Sequence, residues 1–254
     1  MPTVKDLLLE HLEYTFTKEG WQPPLAHAVG GLTAEQVAWK PDPERHSIWQ
    51  IVRHVLHWKR GVLQAWDGDP PDYEAMSVAD WGEADGDQAA WEADTAALHD
   101  VYANFRRRLQ TASDADLAAE RAWYRGAPPR PIANRILHAF THDIYHAGQI
   151  QYLRALQRIA ADRLFFAAYD GNIRVMAEVL REHPELVNAY NPSGWTALQM
   201  ASYTGKTDAV RFLLDQGADV NAVSQNELRT TALKGAQEAG HGEVAELLRR
   251  RGAR

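Results

Sequence analysis

Two imidazoles one helical turn apart are the feature of this chain best equipped for chemistry. They lie in His138-Ala-Phe-Thr-His142-Asp-Ile-Tyr-His146-Ala-Gly-Gln-Ile-Gln-Tyr152, a stretch without Pro in which Ile136, Phe140, Ile144 and Ile150 fall at near-helical spacing. Residues four apart on a helix stand one above the other, so His142 and His146 can aim both rings at one point. That is how a helix offers two ligands to a single cation. His138 extends the stripe by one turn. Two ligands hold a metal weakly, so the chemistry demands a third from another element.

The elements that must deliver it can be read from caps and periodicity. Val4, Leu7, Leu8, Leu12 and Phe16 predict a first amphipathic helix from Thr3 to about Glu19. Gly20, Pro23 and Pro24 interrupt it, and Thr33 with Gln36 forms a capping box for a short turn. Ser47 and Gln50 form another, opening a helix that continues through Ile51, Val52, Val55, Trp58 and Val62. His54 lies two turns into it and is the best third ligand, with His57 a weaker rival. Trp91, Leu98, Val101, Tyr102, Phe105 and Leu109 predict a third helix with His99 beside its stripe. Pro128, Pro129 and Pro131 precede the fourth, which carries the paired histidines and runs through Leu156. Trp49, Trp58 and Trp91 read as core, and His57, His99 and His138 as core or surface residues. Gly148 is unexpected mid-helix, where Gly costs about 1 kcal/mol against Ala; a close approach by a neighbouring helix would explain it.

From Gly61 to Phe105 there are eleven acids and no Lys or Arg. The simplest reading is a solvated connection, the rival an acidic rim around an active-site mouth. The chain as a whole carries a formal charge of −7. Residues 1–160 hold 16 Lys+Arg against 22 Asp+Glu, and 161–254 hold 11 against 12. Neither part has the basic excess of a nucleic-acid binder, so none is expected as a partner. No apolar run is long enough to span a bilayer, no signal-peptide pattern opens the chain, and no membrane partner is expected. Cysteine is absent, which excludes a thiolate nucleophile and a thiolate metal site and makes the cytoplasm the expected compartment.

Four helices with His54 on the second and His142 and His146 on the fourth resemble the DinB-like superfamily over residues 3–158. The likeness lies in His46-Ser-Ile-Trp-Gln-Ile-Val-Arg-His54-Val-Leu-His-Trp58 and in His142-Asp-Ile-Tyr-His146-Ala-Gly-Gln149-Ile. It implies a four-helix bundle of up-down-down-up kind and a divalent metal, nickel or zinc, held by His54, His142 and His146. It also implies a homodimer, as in many members. Relatives include thiol-dependent S-transferases using bacillithiol or mycothiol, a maleylpyruvate isomerase and metal-dependent hydrolases. Three neutral ligands leave a coordination position open, the pattern of a catalytic site. Without Cys in the chain, any thiol must be a low-molecular-weight cosubstrate. Asp143, Tyr145 and Gln149 are the residues expected to support the ligands or touch substrate. No general base is identifiable.

After about Ala160 the pattern becomes a repeat. Thr196-Ala-Leu-Gln-Met-Ala201-Ser-Tyr-Thr-Gly205 aligns with Thr231-Ala-Leu-Lys-Gly-Ala236-Gln-Glu-Ala-Gly240, and an earlier copy ends at Gly171. The three glycines recur at spacings of 34 and 35, close to the ankyrin period of about 33. These residues resemble ankyrin repeats, with Ala197 and Gln199 where Pro and His are usual and a longer entry, Ser224 to Thr230, in the third copy. The resemblance implies protein binding through the turn tips and concave face: Tyr190, Pro192, Ser193 and Trp195 at a tip, Tyr169 and Tyr203 stacked on the concave side. Stabilising or covering the bundle is the other reading.

The expected protein is all-α: a DinB-like metal-binding four-helix bundle at 1–160 and a three-repeat ankyrin stack at 161–254. Its expected function is metal-dependent thiol transfer or hydrolysis of a small electrophilic substrate, with the repeats carrying a protein partner. The alternative is a non-catalytic binding module whose bundle is a metal-stabilised scaffold or dimerisation platform.

Overall fold

The computed structural model describes residues 2–157 and 159–254. It divides into two compact units, with the boundary in the chain at Leu156 and Gln157.

The first unit is built on four long helices, with shorter ones in the connections. In chain order the helices are α1 (Val4–Phe16), α2 (Leu25–Val29), α3 (Ala34–Ala38), α4 (Ile48–Trp66), α5 (Tyr73–Ala79), α6 (Gln88–Thr111), α7 (Asp114–Ala118) and α8 (Ile132–Leu156). Helix α8 packs on α1 and α4, and α6 packs on the same two, which closes a four-membered ring. Successive members α1 and α4 therefore lie diagonally, joined by the long connection containing α2 and α3. Both capping boxes form: Thr33 with Gln36, and Ser47 with Gln50. Thr3 and Asp6 make a third, and α1 closes at Phe16, short of the predicted Glu19. The core lies inside the ring, where Phe16 stacks on Tyr102 at 3.7 Å and Phe105 meets Phe140 edge-on at 5.5 Å. Trp49 and Trp91 are buried in it as expected; the Trp49 indole donates to Asp94 and the Trp91 indole to the Leu32 carbonyl.

Among the elements that went unpredicted are α5, α7 and a small ladder. Helix α5, capped by Asp72, lies within the acidic stretch. A small antiparallel ladder, β1 (Glu120–Arg121) with β2 (Arg130–Pro131), precedes α8 in the otherwise all-α chain. The expectation at Gly148 is corrected. Among the described residues no atom lies within 4 Å of the place a Cβ would occupy there, so no helix approaches it. The close approach is at Gly61, where an added Cβ would stand 2.8 Å from Met76 Cε of α5.

The second unit is three helical pairs: α9 (Ala160–Asp170) with α10 (Ile173–Glu182), α11 (Ala197–Tyr203) with α12 (Thr207–Asp215), and α13 (Ala232–Glu238) with α14 (Gly242–Arg250). First helices stack α9 on α11 on α13, and second helices stack α10 on α12 on α14. Leu164, Ala168, Met176, Leu198, Val210, Leu213, Ala236 and Leu248 belong to one continuous core. Gly171, Gly205 and Gly240 all take φ between 71° and 81°, the left-handed conformation that ends the first helix of each pair. Gln199, in the place where the repeat pattern has His, closes a capping box with Thr196 and donates to the carbonyls of Ala222 and Thr230. It thereby ties the second repeat to the entry of the third. No helix among the described residues is long and apolar enough to cross a membrane.

Candidate metal centre

The phase of α4 is fixed by Ile48, Ile51, Val52 and Val55, all buried, which turns His54 inward toward α8. On α8, burial of Ile136, Phe140, Ala147 and Ile150 sets the complementary phase, and His142 and His146 follow one above the other. Their rings lie 4.2 Å apart at 85°. His142 Nε2 is 3.2 Å from His54 Nε2 and 2.9 Å from His146 Nε2. Each histidine thus offers one ligand atom, and all three lie within 4.8 Å of one another. Tetrahedral coordination at ~2.0–2.1 Å would separate such nitrogens by about 3.3 Å.

Hydrogen bonds on the far side of the rings fix which nitrogen is free. His54 Nδ1 lies 2.5 Å from Asp80 Oδ1, and His146 Nδ1 lies 2.7 Å from Gln149 Oε1. Both acceptors need a proton on Nδ1, which leaves a lone pair on each Nε2. His142 Nε2 carries at most one proton and satisfies at most one of these neighbours. Lone pairs therefore converge without enough protons between them, an arrangement that a cation at their centre resolves. Carboxylate and amide partners behind ligating histidines are the usual support of a metal site.

Electrostatics agree with neutral ligands. Burial pushes His146 down to about 3, with His142 and His54 adding to the effect. Burial and the neighbouring His54 and Lys59 push His142 down to about 4. Burial also lowers His54, against the raising influence of Asp80. The triad is uncharged near neutrality, as metal ligation requires.

Several residues hold positions the sequence did not disclose. Asp80, at the end of α5, accepts from the Trp58 indole at 2.8 Å as well as facing His54. The reading of the acidic stretch as a solvated connection fails at this residue, which turns inward onto the site. Trp81 stacks on His54 at 4.1 Å and on His46 at 3.7 Å, closing one side. Trp58 is half-buried and borders a cavity of about 280 Å³ instead of lying wholly in the core. His54, His142, His138 and Trp123 border the same cavity, so His138, an exposed surface residue as read, also belongs to the site's surroundings.

Of the residues expected to support the ligands, Gln149 does so directly, and Tyr145 accepts from the Gln149 amide at 3.0 Å. Asp143 is different. It is 0% exposed, which excludes contact with substrate, and its carboxylate takes Lys59 Nζ at 2.7 Å. Lys59 is itself 2% exposed; it also donates to the Ala139 carbonyl and sits over the Phe140 ring at 5.0 Å. This buried pair bolts α4 to α8 beside the histidines. His57 faces away, with Nε2 3.0 Å from the Met76 carbonyl, and His99 packs edge-on against Phe16.

A family model of the DinB superfamily matches residues 21–150, just over half of the chain. The chain belongs to the DinB superfamily. A model of ankyrin repeats in three copies matches residues 164–254, so the DinB domain is followed by an ankyrin stack. Among curated proteins, the chain is 35% identical over 95 residues to the NAD-capped RNA hydrolase NUDT12 of Homo sapiens. That match covers 37% of this chain and 20% of the relative. It is 40% identical over 98 residues to ankyrin repeat and SAM domain-containing protein 6 of Rattus norvegicus, covering 33% of this chain and 11% of that protein. The chain therefore spans a fifth or less of the length of these relatives.

On the stack, Tyr169 is 51% and Tyr203 57% exposed, while Tyr190 and Trp195 are half-buried. The Tyr190 hydroxyl donates to the Val223 carbonyl. The expected stacking of Tyr169 on Tyr203 is not made: among the described residues no ring contact joins them. Phe166, exposed one turn before Tyr169, is an aromatic the sequence reading passed over.

Proposed function

We propose that the DinB domain is a metal-dependent enzyme that activates a small thiol or water against a small electrophile. The carrying observation is the convergence of three Nε2 atoms, with two of the opposite nitrogens held by Asp80 and Gln149, beside a cavity. His54, His142 and His146 would hold nickel or zinc. A divalent cation there supplies Lewis acidity and lowers the pKa of a bound nucleophile. Asp80 fixes the His54 tautomer and ring orientation, and Gln149 does the same for His146. Trp58 and Trp123 exclude water from the cavity wall. A chain without cysteine takes its thiol from a cosubstrate, in keeping with a cytoplasmic protein. A match covering 37% of this chain and 20% of the hydrolase does not carry that protein's activity to this chain.

The test is elemental analysis of untagged protein, wild type beside His54→Ala, His142→Ala and His146→Ala. A stoichiometric metal in the wild type, lost in each variant with helicity retained, is the expected result. Metal-free wild type after reconstitution with nickel or zinc would reduce the bundle to a scaffold or dimerisation platform.

The second reading, protein capture by the ankyrin stack, is favoured by the exposed rings of Phe166, Tyr169 and Tyr203. Tyr203→Ala and Trp195→Ala should then abolish retention of a specific partner; equal retention by both variants would remove that face from the interaction.

A further inference from the structure

His138 stands one turn before His142 on α8, so its side chain lies on the same side of the helix. It borders the same cavity as His54 and His142. His138 is exposed, no described residue hydrogen-bonds to either of its ring nitrogens, and its ring stands nearly perpendicular to that of Trp123 at 6.2 Å. The buried Trp123 indole N–H also lacks a partner but cannot accept a proton; most of the remaining polar groups around this cavity are engaged. Lys59 Nζ is held by Asp143 and the Ala139 carbonyl. Asp80 Oδ1 serves both His54 and Trp58. His54 is engaged through both nitrogens and His142 through Nε2. An imidazole with two uncommitted nitrogens beside a nucleophile site is suited to accept and return a proton.

We propose that His138 is the catalytic proton acceptor for the thiol that enters this cavity, an inference that rests on the thiol reading of the site. The thiol S–H bond breaks and its proton passes to a ring nitrogen of His138. Sulfur then bonds to the electrophilic carbon as the bond to the departing group breaks, taking its electron pair. The departing group recovers the proton from His138, which returns to its starting state. Thiol and electrophile are consumed, thioether and protonated leaving group are produced, and no other reactant is needed.

The test counts protons as well as turnover. Nickel- or zinc-loaded full chain is mixed with 2-mercaptoethanol in weakly buffered neutral solution, with bound thiol measured by dialysis and released protons by an indicator. Wild type should retain much of the thiol proton, and His138→Gln should raise protons released per thiol bound by about twofold or more. Metal content should equal wild type in His138→Gln and in His138→Asn, which separates them from variants of the triad. Turnover of a chromogenic electrophile should fall on the order of 100-fold or more and recover in part with added imidazole. Equal proton release by wild type and both variants overturns the assignment while leaving the thiol reading in place. Loaded wild type that binds no thiol overturns both.

Discussion

In the bundle, the side chains taken out of water include Lys59, Asp143, His54, His146 and Arg154; in the ankyrin stack they are Thr196, Gln199, Ser202, Ser224 and Thr230. The first set carries charge or a titratable proton, and the second is neutral. Three of these five side chains in the stack serve its own backbone, while the Ser202 and Thr230 hydroxyls have no partner among the described residues. Thr196 and Gln199 cap α11, Gln199 reaches two carbonyls beyond it, and Ser224 Oγ accepts from the Thr230 amide. The bundle holds a Lys–Asp pair and three neutral imidazoles where a uniformly apolar seam would serve stability as well. The difference separates the two units: ionisable groups are buried in one, His54 and Lys59 among them bordering a cavity, and are absent from the described core of the other.

That contrast can be broken first at the ion pair. Lys59→Ala or Asp143→Ala should destabilise the bundle by about 3–5 kcal/mol, because each leaves a buried charge unpaired. Lys59→Met combined with Asp143→Leu should restore most of that loss in urea unfolding of the bundle transition. A mild effect of the single variants would mean that the pair is wetter than its burial indicates.

Acid gives the next test. In metal-free protein, the folded-state values of about 4 for His142 and about 3 for His146 lie below the ordinary 6.5. The unfolded chain therefore binds more protons between pH 6.5 and those values. This contribution to stability is fully present above about pH 6.5 and is lost as pH falls toward 4 and then 3. The bundle's Tm should drop across that window more steeply in wild type than in His146→Gln. A wild-type slope no steeper than the variant's would mean the rings are solvated.

Smaller effects sharpen the other side. Gln199→Ala removes the acceptor for the Thr196 amide and both donors to Ala222 and Thr230, and should cost the stack about 1–3 kcal/mol in its own unfolding transition. Loss of cooperativity between the second and third repeats would accompany it. Gly148→Ala should stabilise α8 by up to about 1 kcal/mol, since no described atom occupies the space. Destabilisation there would reveal a neighbour that approaches only in an assembly.

Local signals account for what was legible beforehand. A capping box needs two residues three apart, so Ser47 with Gln50 and Thr33 with Gln36 could be read directly. The i, i+4 spacing of His142 and His146 and the recurrence of Gly171, Gly205 and Gly240 are likewise properties of one short segment. Asp80 gave no comparable sign. It is one acid among eleven, and the nearest hint was the lack of Lys or Arg from Gly61 to Phe105, which left those acids without cationic partners in their own segment. Lys59 resembled any polar residue on the flank of α4 and Trp123 any residue outside the motif, while His138 was visible only as an extension of the histidine stripe.

By itself, then, the sequence determined where the helices begin, which faces are apolar, that a four-helix bundle precedes a helical repeat, and which three imidazoles share a point. Those depend on spacing along one segment, and on a motif strong enough to select His54 over His57. Tertiary structure alone decided that Asp80 stands behind His54, that Asp143 is turned to Lys59, and that His138 and Trp123 border the cavity. Such pairings join residues 15 to 84 positions apart, across elements whose relative register is fixed only when α4, α5 and α8 pack together.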